Sequence, residues 1–123
     1  MTVASARITS AVEAFVESMG LSAQPADGGS YSFRLSRSGL LSFTPSDSGD
    51  RLIVSLAGAP SAPEAPAQWE LLRRAGFDAA CNRFLHACMA PDGSLINAFE
   101  FGEHELDLPV LDFAVRRLIE AQE

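Results

Sequence analysis

Two rhythms of apolar and polar positions run along this chain, and the switches between them mark its elements. Ile8, Val12, Phe15, Val16 and Met19 recur at helical spacing, with Glu13 and Glu17 on the wet side, and predict a helix over residues 7–19. Ser5 or Thr9 suits its N-cap, and Gly20 its left-handed stop. After a polar stretch, Tyr31, Phe33 and Leu35 alternate with Ser32, Arg34 and Ser36, the period of a half-buried strand. Arg37-Ser38-Gly39 reads as a turn that sets Leu35 opposite Leu41 and Phe33 opposite Phe43. Leu52, Val54 and Leu56 supply a third strand. The resulting meander has one apolar and one hydroxyl-rich face.

Residues 57–67 are rich in Ala and Pro and read as a linker within one domain. From Gln68 the rhythm is helical again: Trp69, Leu72, Ala75 and Ala79 fit one stripe, and Phe77, Ala80, Cys81 and Phe84 a second, with Gly76 between them. Two apolar runs over residues 84–89 and 95–101 then flank Pro91-Asp92-Gly93, a turn sequence in which Pro presets φ and Gly accepts a positive one. The hairpin register places Met89 opposite Leu95, Ala87 opposite Asn97 and Leu85 opposite Phe99. Asn97 is the one polar member of that apolar face. Asp107 caps a last helix with Pro109 in its first turn and a stripe of Leu108, Leu111, Val115, Leu118 and Ile119. The order is α-β-β-β-α-β-β-α, which predicts an α+β fold: a twisted antiparallel sheet with three helices, as a single domain over residues 1–123.

Composition narrows the function. The 123 residues are 47% hydrophobic and carry a net charge of −7. Such a chain can bury a core without metals or disulfides. Its acidity excludes the basic footprint of a nucleic-acid binder and disfavours anionic membrane surfaces. No apolar run reaches the ~20 residues of a membrane span. The first residues lack the charged and apolar regions of a signal peptide, so the expected location is the cytoplasm. Cys81 and Cys88 are then expected to be reduced, buried small hydrophobes.

Candidate chemistry is sparse. His86, Cys88 and Glu100 share one side of the second hairpin, but zinc sites show tighter paired spacing, so no metal or other cofactor is expected. A Cys–His nucleophile needs an electropositive pocket, and the surroundings of both cysteines are acidic and apolar. Glu103, Glu105 and Asp107 around His104 precede a helix, where acidic residues belong on structural grounds. No glycine-rich phosphate loop occurs. No enzymatic activity is expected. Trp69, Phe77 and Phe84 present more apolar surface than one small core absorbs, which points to a second subunit.

With these elements in hand, the chain resembles the class I type III secretion chaperones, the Tir chaperone (CesT-like) family. The resemblance rests on Phe15-Val16-Glu17-Ser18-Met19-Gly20-Leu21 closing the first helix and on the meander over residues 31–57. It continues through Glu70-Leu71-Leu72 to Phe84, the Pro91-Asp92-Gly93 turn, and Leu106-Asp107-Leu108-Pro109-Val110-Leu111 opening the last helix. It departs at Cys81-Asn82-Arg83-Phe84, where family members commonly carry small residues. The resemblance implies a homodimer that holds the amino-terminal segment of a secreted effector protein, soluble and fit for export. It assigns dimerisation to the second helix, hence Trp69, Leu72, Phe77 and Cys81. Effector binding falls to the first helix and the sheet, hence Val12, Phe15, Tyr31, Phe33 and Phe43. The alternative is a non-enzymatic adaptor or regulatory domain of the same shape that binds a folded cytosolic protein.

Overall fold

The computed structural model describes residues 5–21, 29–35, 39–58 and 73–122. Helix α1 (Ala6–Ser18) leads into β1 (Tyr31–Leu35), β2 (Gly39–Pro45) and β3 (Arg51–Ala57). Next come β4 (Gly76–Asp78), β5 (Arg83–Met89), β6 (Leu95–Gly102), a 3-10 turn (Glu103–Glu105) and α2 (Leu108–Gln122). The six strands form one antiparallel sheet in the order β1-β2-β3-β6-β5-β4.

The end helices form where the apolar stripes place them. Ser5 Oγ caps α1 by accepting from the Ile8 N–H at 3.3 Å, and Gly20, at φ +74°, stops it. Asp107 Oδ1 caps α2 through the Val110 N–H at 2.8 Å. Both helices pack on one face of the sheet. Ile8, Val12, Phe15 and Val16 of α1 and Leu111, Ala114, Val115 and Leu118 of α2 bury against Leu41, Phe43, Leu52, Val54, Leu56, Phe99 and Phe101. Each of the larger of these side chains (Val, Leu, Ile and Phe) contributes roughly 1.5–3 kcal/mol when fully buried.

The second hairpin has the expected register, with Met89 facing Leu95 and Ala87 facing Asn97. In its turn, Asp92 accepts from the Ser94 N–H at 2.9 Å and from the Ser94 hydroxyl, which hold its carboxyl below the usual carboxylate range. The first hairpin differs from expectation by two residues: Phe33 faces Leu41, Tyr31 faces Phe43 and Leu35 faces Gly39. Because the slip is even, every side chain keeps its face. Gly39 makes the slip possible as the first residue of β2, at φ +112°, where a Cβ would meet Ala57 O at 2.0 Å.

The larger correction concerns the middle helix. Arg73 and Arg74 are helical, whereas Gly76–Asp78 is a strand and 79–82 a turn, so residues 76–84 are not a helix. Among the described residues the sheet has six strands and the long helices number two. Several signals break the helix: Gly76 at φ +126°, Asn82 at φ +55°, and Asp78 Oδ1 accepting from the Ala80 N–H at 3.0 Å. The periodicity misled because Phe77 and Phe84 are seven residues apart. That separation puts two residues on one helix face after two turns, and equally puts them directly opposite in a β-hairpin, as here.

Asn97 explains its own presence. It is wholly buried; its Nδ2 donates to Leu118 O at 3.0 Å, and its Oδ1 accepts from Gln122 Nε2 at 3.0 Å. Gln122 Nε2 also lies 3.1 Å from Leu56 O and 3.0 Å from Leu95 O. The last turn of α2 is thus tied to the centre of the sheet. Asn97→Ala removes two hydrogen bonds from a fully buried position and is expected to cost about 1–3 kcal/mol, read as a lower urea midpoint. An unchanged midpoint would show that the tie contributes nothing.

Candidate functional site

Among the described residues both long helices lie on one side of the sheet, and the other face presents the alternate side chains of the strands. Ladder pairing places these in rows across the strands. One row runs Thr44, Ile53, Glu100; the next Ser42, Ser55, Ala98, His86; a third Leu40, Ala57, Ile96, Cys88. Phe84 alternates to this same face on β5, and Phe77 faces it from β4. The face is therefore divided. Its β1–β2 side carries hydroxyls, with Ser32 and Ser42 in contact at 3.1 Å. Its β5–β4 side is aromatic and apolar.

That apolar side is open. Phe77 is 68% and Phe84 54% exposed, and Ile53, on the far side of Glu100, is 36% exposed. The Phe84 ring leans on His86, with 4.8 Å between centroids. Arg51 and Glu100 pair at 2.6 Å beside Ile53, a solvent-exposed bridge worth about 0–1 kcal/mol. A contiguous aromatic cluster left in water has the chemistry of a protein-binding surface. It is also held rigidly. Asp78, next to Phe77, receives Arg117 Nε of α2 at 3.0 Å, and its carboxylate and that of Glu120 hold the Arg117 guanidinium above its usual pKa. Arg74 donates to Ala121 O at 2.8 Å.

The residues weighed for other chemistry are spread apart. His86 faces Ala98, and Glu100 is engaged by Arg51. Among the described residues no three of His, Cys, Asp and Glu converge as a metal site. Cys88, expected to be buried, is exposed on β5, and Cys81 sits half-buried on the helix side, where burial and then the Asp78 carboxylate push its thiol pKa up, the opposite of an activated nucleophile. Glu103 lies 3.5 Å from His104, which also meets Arg7 at 3.5 Å, all at the surface. No described helix is long and apolar enough to cross a membrane.

Of the residues expected to meet an effector, Val12, Phe15, Tyr31 and Phe43 are buried within this chain. The Phe15 and Phe43 rings meet at a tilt with centroids 5.6 Å apart, and Phe33, partly exposed, packs edge-on against Phe43 at 6.3 Å. Four of the five are therefore core, and only Phe33 offers surface. Of the expected dimer residues, Phe77 lies on the open face and Cys81 on the opposite side, while Trp69 and Leu72 fall outside the described residues. Phe84 is the member that the sequence placed in a helix stripe and that the structure brings beside Phe77.

This arrangement has solved counterparts. A chain from the Yersinia pestis type III secretion chaperone SycH in complex with a stable fragment of YscM2 superposes with a TM-score of 0.69. It is 11% identical, over 94% of this chain and 96% of that one. A chain from the ExsC–ExsE complex gives 0.73 at 14% identity, over 100% and 92%. One from the heterodimeric ExoU–SpcU complex of the Pseudomonas aeruginosa type III secretion system gives 0.62 at 14% identity, over 90% and 91%. The fold is that of the type III secretion chaperones. No family model matches the sequence, and no curated protein does, so the likeness lives in the backbone. The short β4 must be held by Asp78 and Arg117 if the open face is to keep its shape. Arg117→Ala is expected to speed amide exchange at β4 while leaving β3 and β6 unchanged; equal exchange at β4 would remove the ion pair from this role.

Proposed function

We propose that the protein is a cytosolic type III secretion chaperone, a non-enzymatic homodimer that holds the amino-terminal segment of a secreted effector and keeps it soluble and competent for export. The observation that carries this reading is the open aromatic face around Phe77 and Phe84 on a fold whose solved counterparts include chaperone–effector complexes. Burying such a face against a second copy is the commonest solution for a symmetric oligomer. Trp69 and Leu72 are proposed to join Phe77 and Phe84 in that contact. The effector segment is proposed to add at the outer edge of β1, where backbone groups give affinity and side chains such as Phe33 give selectivity. Val12, Phe15, Tyr31 and Phe43 support that edge from beneath.

Two measurements test the reading. Light scattering is expected to give twice the chain mass for the native protein and a single-chain mass for Phe77→Asp/Phe84→Asp; a native monomer would overturn the dimer. Affinity capture from cells grown under secretion-inducing conditions is expected to recover one or two secreted proteins. Recovery of folded cytosolic regulators alone would overturn the effector.

A further inference from the structure

A second concavity lies on the helix side, away from both the open sheet face and the β1 edge. It opens between the first turns of α2 and the turn joining β4 to β5, with Phe101 as its floor and Cys81, Val110 and Phe113 among its walls. Its volume is about 310 Å3, at the low end for ligand pockets, with room for one or two side chains and none for a folded domain. Phe113 stands 44% exposed at its lip, outside the stripe that α2 buries.

Charge at the rim decides the occupant. Arg83 is paired at both Nη atoms: its guanidinium lies 4.4 Å from the Phe101 ring centroid, Nη1 donates to Glu100 O at 3.1 Å, and Nη2 pairs with Glu105. It has little left to offer a carboxylate. Asp107 is in the reverse state, since among the described residues its carboxylate meets only the Val110 N–H. The end of α2 contributes about half a positive charge, which does not cancel a full carboxylate. The groove is thus apolar inside and net acidic at its mouth, on a chain of charge −7.

We infer that this groove takes one apolar side chain of the bound effector segment, with a Lys or Arg beside it in sequence facing Asp107. The inference rests on the chaperone reading above and adds a recognition element to it. The test is selection of short random peptides displayed on phage against the full-length protein, followed by binding measurements on the enriched peptides. Enriched peptides are expected to pair Leu, Ile, Met or Phe with an adjacent Lys or Arg. Phe113→Ser is expected to weaken them about tenfold, the order of one large side chain's burial. Asp107→Asn keeps the helix cap, because Asn caps as well as Asp, and is expected to weaken them about threefold while abolishing the basic preference. No enrichment, or enriched peptides indifferent to both substitutions, would overturn the groove. Capture of a secreted protein by the native chain would still stand in that case, so the two failures are distinguishable.

Discussion

The pairing of β3 with β6 is the interaction on which the remaining structure depends. It joins Arg51 to Gly102 and Ala57 to Ile96 in an unbroken antiparallel ladder, uniting the meander and the second hairpin into one sheet. Val54 opposite Phe99 and Leu52 opposite Phe101 lie at its centre, all buried. The ends of the chain are organised around it. The Ser46–Arg51 turn receives the Ser5 N–H on Gly49 O and the Glu103 N–H on Asp50 O, both at 2.9 Å. This docks the start of α1 and the approach to α2 at one end of the ladder. At the other end, Asn97 and Gln122 tie down the close of α2. A non-local ladder of this kind repays its loop-closure entropy only once both hairpins exist.

The second consequence is asymmetry. Among the described residues the two long helices cover one side of the six-stranded sheet, and both sit on that same side. The β1–β2 part of the uncovered face solves its exposure with serine and threonine, whereas the β5–β4 part keeps phenylalanines in water. A sheet face that is polar at one end and aromatic at the other is not merely an unfinished core. Phe77 and Phe84 pair side by side there, and the Asp78–Arg117 bridge joins β4 to α2; in the proposed function, association falls to this region. No catalytic grouping competes with this reading among the described residues.

Much of this was legible before the fold was known. The end helices, their caps at Ser5 and Asp107, the strand faces and the β5–β6 register follow from periodicity and turn chemistry, which act locally. Asn97 stood out as a lone polar residue on an apolar face, but its partners on α2 are 21 and 25 residues away, and sequence spacing does not reveal them. The β1–β2 slip escaped because patterning fixes only the parity of a register; Gly39 against the Ala57 backbone chose between two solutions of equal parity. The strand at Gly76 was misread because a seven-residue aromatic spacing serves helix and hairpin alike. The positive φ of Gly76 and Asn82 breaks the tie. The proposed binding residues were the least legible part. Val12, Phe15, Tyr31 and Phe43 have the composition of a sticky groove, and buried core residues share that composition.

The central claim is that this chain holds an unfolded amino-terminal segment and not a folded partner. The most direct test takes a captured protein, divides it, and asks which part binds. The account predicts that the amino-terminal segment alone binds as tightly as the whole protein, and that its backbone amides become protected from hydrogen exchange as it adds to the sheet. A partner that binds through its folded remainder, with its amino-terminal segment dispensable, would contradict it.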